Sequence, residues 1–351
     1  MDIVEKRSGM GVKGKCKYFF VLLFVLVLSF FVQSCLEPEH PLPVIPDPEL
    51  QSIEINADDQ AAYYYNLSQK KVVKSNKIID WDLRLCAQAD KYYIYLNTAK
   101  NMRLAKYDGK FSDIVKVSDI TNWQTDLINE GKALTVMGSW GDFSFTNPKS
   151  YGHTYVIDMG YLNSINEFGY RKLEVLGCTD NHYILKLGML DDPFGDTIKI
   201  EKKSQFNSMY LSMGGKARVV TIEPTSAEWD LLFTQYGLSS LVIKDGKIID
   251  TTYAWTDAIL LNTTGRQISH DTVKTFDDIT FWDAEKYVYD NSIDYIGNKW
   301  RVKNADNQYE VSKRNIYIVK TSNNLIYKIE FKSVDKTNPR ITKIVFRVKN
   351  L

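Results

Sequence analysis

Histidine is scarce in this chain of 351 residues. It contains four, at positions 40, 153, 182 and 270, and no two stand at the spacing of a metal motif. Cysteine is as thin. Past Cys35 only Cys86 and Cys178 remain, enough for one disulfide but not for a disulfide framework, and they are read as two buried thiols. A zinc site is therefore not expected. Neither sign of charge is in excess, since 44 Lys and Arg face 43 Asp and Glu. Nothing electrostatic then recommends nucleic acid as a partner. The chain also lacks a nucleophile-elbow motif and a phosphate loop. The acidic stretch Leu190–Asp196 has three Asp side chains without the alternation of an EF-hand loop, and it reads as a solvated turn. No residue pattern points to catalysis, and the expectation is a protein that is not an enzyme. Helical patterning is confined to Ser118–Ala133 and Asp283–Ile293, and it is weak in both.

The first 34 residues have the layout of an export signal. Lys13, Lys15 and Lys17 precede an apolar run from Tyr18 to Phe31, shorter than the roughly 18–20 residues a membrane-spanning helix needs. Ser34-Cys35 at its end resembles a bacterial lipoprotein cleavage site, which makes Cys35 the lipidated residue and the new N-terminus. Five prolines follow between 38 and 48, so 35–58 is expected to be an extended tether. Glu37 and Glu39, just past the cysteine, resemble signals that place lipoproteins on the outer face of Gram-negative outer membranes. The expected address is the outer membrane, lipid-anchored and facing the cell surface.

Beyond the tether, aromatic and β-branched residues alternate with period two in many short runs, as in Thr154–Met159 and Ile341–Val348. Turn residues such as Asp108-Gly109 and Asn323-Asn324 separate them. This is the pattern of antiparallel strands, and the expected class is all-β. The triplet Trp81-Asp82-Leu83 recurs as Trp229-Asp230-Leu231, each time after a Tyr-rich strand, a basic turn and a Val-Val strand. Lys172 and Lys328 repeat at a closely similar offset. Two β units in tandem are therefore expected, at 59–205 and 206–351. In each triplet the Trp is a large apolar anchor. The Asp is placed to accept backbone N–H groups at a bend, and the Leu returns to the core.

These residues, with Tyr309–Phe331, resemble the HmuY-like family of haem-binding lipoproteins, in a two-unit form. The resemblance implies haem or a related porphyrin as ligand and an outer-membrane receptor that takes over the cargo. It also implies two axial side chains on loops. The positions matching one axial His are Phe145 and Ala305, neither of which binds iron. His270 falls near the position of the other. Met replaces His in some relatives, so Met137 and Met159 join His153 and His270 as haem-ligand candidates. The alternative reading is a surface interaction module for a glycan or protein partner, with Tyr63, Tyr64, Tyr65 and Trp123 available for stacking on sugars.

Overall fold

The computed structural model describes residues 49–56, 61–129, 132–162, 168–244, 247–336 and 341–351, as backbone only at 61, 127–129, 132–134, 238–244 and 247–255. Residues 1–34, Cys35 and His40 lie outside the described residues. The chain from Pro48 to Leu351 clusters as one compact unit. It is nearly all β, as the alternation predicts.

Two five-stranded sheets have the same antiparallel order. The first runs β14 (Asp196–Glu201), β13 (His182–Gly188), β12 (Tyr170–Cys178), β11 (Thr154–Asp158), β6 (Arg103–Tyr107). The second runs β1 (Leu50–Asn56), β24 (Ile341–Asn350), β23 (Ile326–Asp335), β22 (Ile316–Lys320), β19 (Gln267–Asp271). Two four-stranded sheets also match. One is β16 (Arg218–Val220), β15 (Ser208–Ser212), β4 (Leu83–Cys86), β5 (Ile94–Leu96). The other is β3 (Lys71–Lys77), β2 (Ala61–Asn66), β17 (Leu231–Lys244), β18 (Lys247–Leu261). Three two-stranded ladders complete the set: β7 (Leu127–Asn129) with β8 (Lys132–Leu134), β9 (Gly141–Asp142) with β10 (Lys149–Ser150), and β20 (Arg301–Lys303) with β21 (Tyr309–Val311).

The order of strands reveals an exchange. β1 and β2 come first in the chain but pair with β24 and β17, late elements. β14 and β15, from the middle of the chain, pair with β13 and β4. Gln205 lies in the turn between β14 and β15, and both of those strands belong to first-half sheets. The cores follow the same rule. Ile200, Met209 and Leu211 pack with Leu83, Leu85 and Trp140. Ile53, Ile55 and Tyr65 pack with Leu231, Trp300 and Phe346. Each such side chain contributes roughly 1.5–3 kcal/mol on burial, so the exchanged strands are bound by apolar area as well as by ladders.

The two weak helical patterns do not become helices of that length. Over Ser118–Ala133 there is one 3-10 turn, Val117–Asp119, and then the β7–β8 ladder. Asp126 spends its carboxylate on the N–H groups of Leu96 and Val136 rather than on a helical turn. In Asp283–Ile293 only α1 (Phe281–Ala284) forms, closed at its start by a Thr280–Asp283 capping box. Tyr287, Val288 and Tyr289 are poor helix formers, and Asp290 turns the chain by accepting from Ser292. Cys86 and Cys178 are buried free thiols.

Candidate functional site

The two triplets meet at the exchange. Asp82 accepts the N–H of Met213 and pairs with the Lys100 ammonium. Asp230 accepts the N–H of Leu67 at 2.8 Å and pairs with Arg266 at 2.9 Å. Asn97 donates to the Trp81 carbonyl at 2.9 Å, and Asn262 to that of Trp229 at 2.7 Å. Leu83 and Leu231 are fully buried. The rings cross over as well. Trp81 meets Tyr210 edge-on at 5.1 Å, and Trp229 meets Tyr64 edge-on at 5.0 Å. Trp229 is buried, whereas Trp81 is half-buried. Lys172 donates to the carbonyls of Phe111 and Asp113, and Lys328 to those of Phe276 and Ile279.

Between these crossed rings lies a cavity of about 120 Å³. Trp81, Tyr64, Tyr95, Tyr210, Trp229 and Leu232 supply its apolar wall, and Arg84, Asp126 and Glu223 its charged one. β17 closes it against the first half. At Gly237 a Cβ would stand 2.5 Å from the Thr98 carbonyl oxygen, so this approach requires glycine. Glu223 accepts from Ser208 N at 2.8 Å and from the Tyr210 hydroxyl at 3.3 Å. Burial pushes its carboxyl up to about 7, and burial pushes Asp126 up to about 6. Composition and motif reading single out none of these three charged residues. The available signal is that Arg84 alternates with Leu83 and Leu85 in one strand, which puts a cation on a face whose second-half counterpart is apolar.

The four haem-ligand candidates fall in three places. His270 is exposed on β19, with Nδ1 2.8 Å from the Tyr295 hydroxyl. Met159 is fully buried in the first core. Met137, buried in the same core, and the half-buried His153 line one groove of about 530 Å³, with Leu104, Ile120, Val136 and Tyr155 in its wall. His153 Nε2 lies 3.1 Å from Lys106 Nζ. Burial, then the Lys106 charge, holds the imidazole below its usual range, so it is neutral at pH 7.

The remaining positions fit their plainer readings. Phe145 and Ala305 are exposed. His182 contacts the Thr179 hydroxyl at 3.1 Å. Asp192 accepts the N–H of Phe194 within its own turn. Among the described residues no cluster of three or more His, Cys, Asp or Glu is placed to hold a metal ion. Of the rings available for stacking, Tyr64 and Tyr65 are buried, whereas Tyr63 and Trp123 are half-buried, Trp123 beside Arg103.

No family model matches the chain, and no curated protein matches it. Among solved structures it aligns with the crystal structure of apo PinO from Porphyromonas gingivitis at 11% identity, covering 86% of this chain and 98% of that one, with a TM-score of 0.22. A likeness at that score carries neither fold nor function.

Proposed function

We propose that this chain is a non-catalytic surface lipoprotein of the HmuY-like kind, anchored to the outer membrane through Cys35. In this reading it binds haem or a related porphyrin in the groove of Met137 and His153. One observation carries the choice of site: these two potential axial ligands line the same groove. Imidazole and thioether together form a known haem-ligand pair. The groove's volume falls within the range of small-molecule sites, and its wall mixes apolar side chains with Lys106, the carboxylates of Asp108 and Asp119, and the polar Thr121, Asn122 and Gln124. Lys106 now occupies His153 Nε2. On ligation it turns aside and becomes available to a porphyrin carboxylate.

Absorbance of the purified protein mixed with haemin tests this. A Soret shift is expected, lost or displaced in His153→Ala and Met137→Leu and unchanged in His270→Ala. The anchor has its own test, since Cys35→Ala is expected to release the protein from membranes. Retention of that variant would refute the lipid anchor.

A second reading, an interaction module for a glycan or protein partner, is favoured by the adjacent exposed rings of Phe281 and Trp282, with centroids 5.6 Å apart. It takes precedence if haemin leaves the unmutated protein's spectrum unchanged.

A further inference from the structure

The central cavity is a different place from the groove, and what marks it is a mismatch between its two walls. In the β16-β15-β4-β5 sheet, Arg84 stands opposite Tyr210 on one side and Tyr95 on the other. In the β3-β2-β17-β18 sheet, Leu232 stands opposite Tyr64 and Leu260. The two positions correspond by register, and both side chains line the cavity. The second sheet forms the same ladder with Leu there, so the fold does not require a cation.

A part-buried guanidinium without a hydrogen-bond partner is unusual, because buried polar groups are nearly always hydrogen-bonded. Arg84 lies over the Tyr95 ring, with Cζ 4.2 Å from its centroid. Among the described residues its guanidinium makes no hydrogen bond or ion pair. Glu223 and Asp126 are near, but each is held by backbone N–H groups of its own. Five N–H donors in a planar fork are thus presented to an aromatic-walled space.

We propose that this cavity binds a small organic carboxylate with a planar, apolar body. The Arg84 fork takes the carboxylate through two parallel hydrogen bonds, and Trp81, Tyr64 and Leu232 enclose the ring. The size sets the limit: a cavity of about 150 Å³ lined by apolar side chains admits benzene, so the about 120 Å³ here takes no body larger than one small ring, with the carboxylate at the charged wall. The charge agrees near pH 6. Glu223 is then mostly protonated and Asp126 about half so, which leaves Arg84 the dominant charge.

Benzoate is the probe, titrated at about pH 6 into the full chain while tryptophan fluorescence is read, because Trp81 and Trp229 both line the cavity. Saturable quenching is expected. Arg84→Lys keeps the charge but loses the fork, and it is expected to weaken binding about tenfold. Arg84→Leu copies the second sheet. It is expected to abolish benzoate binding without lowering the melting temperature, and to let neutral toluene in. Absence of saturable quenching in the unmutated protein overturns the proposal, whether or not either variant folds. Equal affinity for benzoate in Arg84→Leu overturns it too, and quenching by inorganic phosphate as strong as by benzoate overturns the carboxylate assignment.

Discussion

Asp230 accepts the backbone N–H of Leu67 at 2.8 Å, across 163 positions of sequence. Its other oxygen is held by Arg266, and both side chains are buried. Removing the carboxylate leaves a buried guanidinium uncompensated, and breaking such a pair costs about 3–5 kcal/mol. Asp230→Ala is expected to lose that much in urea unfolding. A loss under about 1 kcal/mol would mean that this pair does not secure the exchanged strand.

The two tryptophans of the triplets are expected to differ. Trp229 is buried against Tyr64, and Trp229→Ala should cost about 3–5 kcal/mol. Trp81 is half-buried and lines the cavity, so its removal deletes fewer contacts and should cost roughly half as much. Unfolding curves of the two variants give the comparison directly, and equal losses would contradict the different settings.

Glu223 makes stability depend on pH. Its carboxyl sits at about 7 in the folded chain against an ordinary 4.5, raised chiefly by burial. Below pH 4.5 the group is protonated in both states, and its contribution to stability is whole. As pH rises through 7 the folded state resists ionisation more than the unfolded one does, and up to about 3 kcal/mol is lost. The charged and titratable groups around it include Arg84, Tyr210, Tyr64 and Lys74. Melting temperature followed from pH 4.5 to 8 should fall less in Glu223→Gln than in the parent. Parallel profiles would rule out Glu223 as the source.

Burial pushes the Cys178 thiol up to about 11 and raises Cys86 as well. Both are expected to resist a disulfide reagent at pH 8 in the native protein and to react fully in denaturant. Rapid labelling of the native protein would show that the first core opens readily.

Much of the fold was legible in the residues. Period-two alternation gives strands, and the recurring Trp-Asp-Leu places equivalent corners. The triplet marks its Asp as an acceptor of backbone N–H groups, and both Asp82 and Asp230 are that. Alternation, however, tells which face of a strand is buried and not which strand lies beside it. The partnering of β2 with β17 and of β15 with β4 could not be read, and a boundary at Gln205 follows naturally from sequence order alone. The groove was half legible. Residue chemistry marks Met137 and His153 one by one, but only folding brings them to one wall. Arg84 stayed hidden because a single arginine in a strand ordinarily signals a solvated face.

The crossing of strands has a further consequence. β1 finishes the sheet that ends in β24, and β14 finishes the one that ends in β13. A polypeptide carrying one half alone would therefore have a bare edge at its last strand and an unplaced strand at its front. Two such polypeptides could satisfy each other reciprocally, as a homodimer with two-fold symmetry. Its stability would then depend on protein concentration. Joining the halves in one chain makes that encounter intramolecular and first-order. It also frees the two sides of the junction from being identical, and Arg84 facing Leu232 is a difference that a symmetric pair could never hold.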